Sequence, residues 1–542
     1  MIRLFPFLLL LAGCTTAPET HSPQATLPEP INWNREIIYH VMPRSFYDSN
    51  GDRHGDLNGF VQKLDYLKAL GVTTILFTPL YESGFYHNYF PTDYEKIDPE
   101  YGTMEDYIRF VKAVHARGLK FLMDMETQYA QSGHPWFDES YRNPSSPYSD
   151  FIYYSDSLNE FPEQIFMPAR SPLHQFTAWP GDKHHIVLLD LNHARVKDWM
   201  KDFYLFWVDP NQDGNFDDGV DGFRIDHIMD DLDHKGIMTN LYTDLWKPIF
   251  DACKSLNPNV FILGEQSDWN EYGDEMVRAS GADAAFSFPI RFALAGEEGT
   301  HDMYKTGEVA SLKLDPSRVH QAVIETQKRF VHATYSVNFL ENHDTDRWAS
   351  LVNEHAGQQR VAAVMNLLLP GVPSIYYGQE LGLIGQKQEW GSDANHIPVR
   401  EGFPWTSDLN GAGHALWYRD TGEWWDRSFW NTEKIQALAL TTQQSDEGSL
   451  WRLYQKLIRI RQENPSIQIG AYRAIQEDQP ALMAFERTSD GSTSQVIVNI
   501  TDTPVKLMLD DPYDTLLLEK GTLTNQELRL EGYGIWIAKS NG

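Results

Sequence analysis

The stretch DPNQDGNFDDGVDGFRID, residues 209–226, decides how the rest of the chain is read. In its back half, apolar Phe223 and Ile225 alternate with Arg224 and Asp226, so an extended backbone puts the arginine and the aspartate on one face. Its front half sets Asp209, Asn211, Asp213 and Asp217 at odd positions around Gly214, the opening of an EF-hand-like calcium loop. Carboxylates this close repel one another unless something neutralises them. The twelfth position is Val220, where the full motif has a bidentate glutamate, so helix-flanked EF-hand geometry is not expected. The stretch reads as an ion-braced loop feeding a strand, with the ion fixing where Asp226 points. The alternative is a solvated acidic turn with Asn and Asp as turn formers, in which Asp218 and Asp221 face solvent.

Working outward, β-branched and aromatic runs alternate with amphipathic stretches from about residue 37, the pattern of βα units around a parallel sheet. Eight strands are expected, at 37–46, 72–80, 120–125, 222–226, 260–265, 284–289, 335–344 and 373–380. Between them, GFVQKLDYLKALG and MEDYIRFVKAVHARG read as helices, each closing on a glycine. Eight units make a closed (β/α)₈ TIM barrel the leading architecture, with a doubly wound open sheet as the alternative. Residues 128–186, Pro- and aromatic-rich, are too long for a barrel loop and read as a subdomain inserted after the third strand. The barrel then occupies 33–127 and 187–465, and short alternating strands over 466–542 predict a C-terminal antiparallel β-domain.

At 542 residues, 42% hydrophobic and 13% aromatic, the chain can bury a large core. Its 45 basic and 76 acidic residues, net charge -31, argue against a nucleic-acid partner, which needs clustered Lys and Arg. The N-terminus carries an apolar run from Leu4 to Leu11, too short to span a bilayer, and then Leu11-Ala12-Gly13-Cys14. Residues 1–13 resemble a bacterial lipoprotein signal, with Cys14 as the lipidated residue and 14–32 as a flexible tether. An ordinary secretory signal with an incidental cysteine is the alternative. With Cys14 lipidated, Cys253 is left alone and no intramolecular disulfide forms.

Polar residues at the C-terminal ends of barrel strands converge on one mouth. The expected strands supply Asp124, Arg224 with Asp226, Glu265, and His343 with Asp344. Several carboxylates with an arginine and a histidine suit glycoside chemistry, in which one carboxylate attacks the anomeric carbon and another protonates the departing oxygen. Arg224 would keep Asp226 ionised, while burial behind Val-Phe-Ile-Leu-Gly would raise Glu265 into the range of an acid.

These residues stand in motifs that resemble the α-amylase family of glycoside hydrolases, glycoside hydrolase family 13. GFRID, ILGE and FLENHD match its three acid-bearing strands, and GDLNGF (55–60), LLDLN (188–192) and GVPSIYYGQE (371–380) match further motifs in the family's order. The resemblance implies a retaining mechanism with Asp226 as nucleophile, Glu265 as general acid then base, and Asp344 gripping sugar hydroxyls. It also implies that Asp124, Arg224 and His343 line the central sugar subsite and that Tyr89 stacks under that sugar. DSNGDRHGD offers Asp48, Asn50, Asp52 and Asp56 just after the first strand, where some members hold a structural calcium.

The departures are equally specific. In DMETQY, Gln128 and Tyr129 replace the family's Asn, which helps hold a calcium with the acid at Asp190, and its His, which touches the central sugar. Phe90 replaces the Asp with which many exo-acting members recognise a chain end, and HIMDD lacks the Lys-His pair of many α-amylases. Trp136, Phe137 and Trp405 are candidates for sugar stacking, although most aromatic residues in a barrel belong to its core. The expected function is a calcium-dependent retaining hydrolase of α-1,4 links in maltooligosaccharides or starch fragments. It is expected to be a monomer tethered to the bacterial envelope by its lipid alone. An α-glucosidase or transglycosylase on the same acids, a non-catalytic surface glycan-binding protein and a calcium-dependent adhesion module are the alternatives.

Overall fold

Eight parallel strands close into a barrel in the computed structural model of the protein, which is described for residues 31–167, 170–300, 314–510 and 512–541. They are β1 (Ile38–Val41), β2 (Thr74–Phe77), β3 (Lys120–Met125), β4 (Gly222–Ile228), β5 (Phe261–Gln266), β6 (Ala284–Phe286), β7 (Tyr335–Asn338) and β8 (Val372–Tyr376). Each pairs with its neighbour in sequence, and β8 closes onto β1. The open-sheet alternative is thereby excluded. Both faces of these strands are covered, which is why they read as continuous apolar runs such as TILF and FILG.

Helices follow the strands: α1 (Leu57–Leu70), α2 (Met104–His115), α3 (Ala194–Val208), α4 (Lys247–Leu256), α5 (Asp274–Ser280), α6 (Pro316–Arg329), α7 (Ala356–Leu368) and α8 (Leu450–Glu463). Asp56 caps α1 at one end and Gly71, at φ 101°, ends it in the left-handed region that favours glycine. A Thr103/Asp106 capping box starts α2. Contrary to expectation α2 ends on Ala116 in right-handed helical conformation, and Gly118 belongs to the turn beyond.

Several strands are shorter than the apolar runs suggest. Pro43–Ser45 turns in a 3₁₀ helix because Pro43 cannot continue a ladder, and Phe288 already opens a helix after β6. β7 ends at Asn338, so His343 and Asp344 stand in the loop past the strand. The insert closes at its base where Tyr129–Gln131 pairs antiparallel with Ile186–Leu188. The C-terminal sheet is antiparallel, built from β9 (Ala471–Ala474), β10 (Leu482–Ser489), β11 (Ser492–Asn499), β12 (Val505–Met508), β13 (Asp514–Thr524) and β14 (Glu527–Asn541). Its order is β9-β10-β11-β14-β12, with β13 also paired to β14.

The expected signal, Cys14 and nearly all of the tether lie outside the described residues. Among the described residues no helix is long and apolar enough to cross a membrane. Cys253 is a buried free thiol.

Candidate active site

One arginine gathers three of the expected acids. The parallel register sets Arg224 on β4 beside Asp124 on β3 and Leu263 on β5, so the end of each strand delivers its carboxylate to the same rim. Arg224 is fully buried. Its Nη1 donates to Asp124 Oδ1 (2.8 Å) and Asp226 Oδ1 (2.5 Å), and its Nη2 to Glu265 Oε2 (2.6 Å). A planar guanidinium can hold carboxylates on two nitrogens at once, and a lysine could not. Asp226 and Glu265 are therefore held side by side on one guanidinium.

Their protonation states are driven apart. Burial alone would raise Asp226, but the cations of His227 and Arg224 outweigh it and hold the carboxyl well below the usual range. Burial pushes Glu265 up to about 8, against the pull of Arg224 and with help from the nearby Asp226 and Asp344 charges. Glu265 Oε1 is buried without a partner. Asp124, deeper still, is lifted by burial to about 6 despite Arg224.

The other expected residues join this group through Asp124. Tyr89 donates its hydroxyl to Asp124 Oδ2 (2.6 Å), lies 2.7 Å from His343 Nε2 and stacks on that imidazole with ring centroids 5.2 Å apart. His343 Nε2 is 2.9 Å from Asp344 Oδ2. Arg400 donates to Asp344 Oδ1 (3.0 Å) and the His343 carbonyl (2.9 Å). Burial opposes the charge on Asp344, yet His343 and Arg400 hold it well below the usual range.

The altered third-strand motif is part of the same site. Gln128 donates to the Asp226 carbonyl (3.2 Å), and its own backbone N–H donates to Glu126. The Tyr129 hydroxyl donates to Asp233 Oδ1 (2.7 Å) and lies 3.0 Å from His227 Nε2. Asp190 accepts from the Asn192 backbone (3.1 Å). Phe90 packs edge-on against Phe85 (5.4 Å) and Tyr129 (6.3 Å), an apolar wall in place of an acid.

With this geometry established, comparison with known proteins assigns the chain. The catalytic-domain model for alpha amylase matches residues 40–470, most of the sequence. The chain belongs to the alpha-amylase family. It is similar to alpha-amylase 3 of Dictyoglomus thermophilum, 29% identical over 86% of this chain and 85% of that protein. It is also similar to the trehalose synthase/amylase TreS of Mycobacterium tuberculosis, 25% identical over 90% of this chain and 85% of that one. The crystal structure of an alpha-amylase from H. orenii superposes with a TM-score of 0.73 at 26% identity, covering 93% of this chain and 99% of the other. The protein is thus a glycosidase of the alpha-amylase family.

Within this alpha-amylase family barrel, the aromatic candidates for sugar stacking pack against the core. Trp136 packs against Phe151 (4.5 Å) and Trp199 (4.6 Å), Phe137 is buried, and Trp405 is wedged against Phe46 and Phe403 with its indole N–H on the Phe46 carbonyl (2.6 Å). Phe137 and Trp405 bury their apolar area in the core, and Trp136 is half-buried against it. Asp218 is buried, and half-buried Asp221 accepts from His115 Nε2 and the Phe121 N–H, both at 2.8 Å. Arg400, Glu126 and His227 went unread because no strand-end pattern points to a residue in the long loop after β8 or to a second side chain beside Asp226.

The two aspartate-rich loops adopt similar turns. Asp48 accepts from the backbone of Asn50, Gly51 and Arg53, Asn50 from that of Asp52, and Asp52 from that of His54. Asp56 accepts from Gly59 and Ser49 as a helix cap. In the second loop Asp209 accepts from Gly214, Asn211 from Asp213 and Asp213 from Asn215. Asp209, Asp217 and Asp218 each keep one buried oxygen without a donor. Carboxylate oxygens have a second lone pair, so both donor sets suit a hard cation. Among the described residues, the one trio of acid and imidazole ligand atoms within 4.8 Å of one another is elsewhere, at Glu126, Asp226 and His227.

Proposed function

We propose that the protein hydrolyses α-1,4-glucosidic bonds in maltooligosaccharides or starch-derived glucans by double displacement. The observation that carries this reading is the single Arg224 guanidinium holding Asp226 and Glu265 together while their surroundings keep one ionised and the other protonated. An Asp226 oxygen attacks the anomeric carbon, the glycosidic bond breaks, and the leaving oxygen takes the Glu265 proton. Water then adds to that carbon while the Glu265 carboxylate accepts its proton, and the bond to Asp226 breaks with its electron pair returning to the carboxylate. Tyr89 supplies an aromatic face for the central sugar, and Asp344 with His343 takes its hydroxyls. Phe90 supports an open, chain-accommodating cleft, because an apolar ring there cannot grip a chain end through a charge. Calcium is proposed for the Asp48–Asp56 and Asp209–Asp217 loops, the second bracing the entry to β4.

An α-glucosidase or transglycosylase using the same acids is the second reading, favoured by relatives named trehalose synthase/amylase and alpha-glucosidase. Digestion of maltoheptaose separates the readings. Short maltooligosaccharides should appear, with reducing ends released faster than free glucose. Glucose alone, products longer than the substrate, or binding without turnover would each replace the proposal with one of its rivals. The same digestion after chelation should keep its product pattern while the thermal midpoint falls by a few degrees.

Activity should also fall as pH rises through about 8, where Glu265 loses the proton it must donate. On the acid side kcat/KM should persist below the usual aspartate range, because Asp226 stays ionised there. A profile of kcat/KM against pH checks both limbs, and a flat basic limb through pH 9 would remove Glu265 as the acid.

A further inference from the structure

The residue after Asp226 is a histidine, and a regular strand would turn it away from the barrel mouth. It does not turn away. Between β4 and β5 the register runs from Ile225↔Gly264 to Ile228↔Gln266, three steps on one strand against two on the other, which is a β-bulge. His227 occupies it at φ 20°, at the edge of the left-handed region where a non-glycine residue is uncommon. The extra residue brings its imidazole back onto the rim: Nδ1 is 2.5 Å from Asp226 Oδ2. Its backbone N–H reaches Glu265 Oε2 (3.3 Å). One residue thus touches both carboxylates that the double displacement uses.

The far side of the ring is held as well. Nε2 lies 3.0 Å from the Tyr129 hydroxyl, which donates to Asp233, and 3.9 Å from Glu126 Oε2. Tyr129, which replaces the family's His after β3, and His227, next to the nucleophile, are therefore one assembly: Asp233, Tyr129, His227 and Asp226 in a chain. Its charge balance follows from its neighbours. The ring faces Asp226 on β4, Glu126 after β3, Glu265 on β5 and, through Tyr129, Asp233, with Arg224 as the other cation on the nucleophile. Burial favours a neutral ring, but these acids keep it protonated, with its pKa pushed up to about 10.

Resting on the assignment of Asp226 as nucleophile, we propose that His227 is a positioning residue of the reaction: it fixes the Asp226 carboxylate opposite Arg224 and donates to the oxygen that leaves the anomeric carbon when the glycosyl–enzyme ester is hydrolysed. In the first step Oδ2 forms its bond to carbon through a second lone pair while Nδ1–H stays on the other. In the second step the carbon–Oδ2 bond breaks, its electron pair returns to the carboxylate, and the hydrogen bond from Nδ1–H to Oδ2 strengthens as charge develops. No proton leaves His227 in either step. The gain is concentrated in deglycosylation, because a cation on the attacking oxygen weakens a nucleophile and improves the same group as a leaving carboxylate.

The test uses His227→Ala, His227→Asn and Tyr129→Phe in the full-length protein, with an aryl α-maltoside carrying an activated phenol and stopped-flow detection of phenolate. His227→Ala should lower steady-state kcat by about 10- to 100-fold and move the acid limb of kcat/KM up by about one pH unit or more. It should also show a burst of phenolate near the enzyme concentration as the glycosyl–enzyme accumulates. Asparagine, a neutral donor, should restore part of the deglycosylation rate without restoring the acid limb. Tyr129→Phe, which leaves the imidazole in place, should shift the limb the same way by less and covers the case in which the alanine variant fails to fold. Unchanged kcat, pH profile and absence of a burst in folded His227→Ala would overturn the proposal. So would a loss of rate with the pH profile unmoved, which a merely structural role predicts. An Asp226→Asn variant that kept full activity would instead remove the nucleophile assignment.

Discussion

Asparagine at position 226 is expected to lower kcat on maltooligosaccharides on the order of 10⁴-fold or more, with a lower thermal midpoint at neutral pH because Arg224 and His227 lose the charge they share. The argument is geometric. Asp226 Oδ1 is engaged by Arg224 and Oδ2 by His227, so an amide of the same shape still fills the site but carries no charge to attack with. Glu265→Gln separates the two chemical roles. With a poor leaving group the first step should fail, since no proton is delivered. With an activated phenol it should survive and leave the glycosyl–enzyme waiting for a base. Azide, which needs no base, should then attack the anomeric carbon, displace the Asp226 carboxylate and release an α-glycosyl azide. Product configuration by NMR reads this directly. Azide rescue of Glu265→Gln without rescue of Asp226→Asn in the same configuration is the expected pair, and near-normal activity in either variant would sink its assignment.

How the site came to be partly readable follows from what a sequence pattern reports. Alternation along a strand tells which residues share a face, so Arg224 with Asp226 was legible from GFRID, and the ends of β3 and β5 gave Asp124 and Glu265. Eight βα units were legible for the same reason, because strands covered on both faces must be apolar throughout. The bulge was not. An extra residue in one strand of a pair leaves no mark on either strand's own periodicity, so nothing in HIMDD singled out His227, and Tyr129 read only as the replacement of a His. Their meeting depends on the pairing of β4 with β5 and on the ribbon that opens the insert, both long-range facts. Arg400 lies more than twenty residues past β8 in irregular chain, where no period exists to place it. Phe137 and Trp405 failed in the opposite sense, since an aromatic ring's chemistry is the same in a sugar site and in a core, and only packing distinguishes them.

Removing Arg224 tests the electrostatic design as a whole. Leucine at this position deletes the cation that Asp124, Asp226 and Glu265 share, leaving three buried carboxylates with one imidazolium among them. Breaking a buried ion pair from one side costs about 3–5 kcal/mol, because the orphaned charges stay desolvated. The acids can relieve that cost by taking up protons. Asp226, whose depressed pKa stabilises the fold above its unfolded value, would then lose that contribution at a higher pH than before, so the variant should be most destabilised at neutral to alkaline pH and recover toward acid. Activity should fall by about 10³-fold or more, with the remaining acid limb moved upward, since a nucleophile protonated at neutral pH cannot attack. Lysine at 224 restores a charge but presents a point where two nitrogens held three carboxylates, so stability should return further than turnover. Thermal midpoints and kcat/KM measured on both variants from pH 5 to 9 give the two curves. If Arg224→Lys recovered wild-type turnover, charge alone would be enough and the forked geometry would have no role in keeping Asp226 and Glu265 in different protonation states.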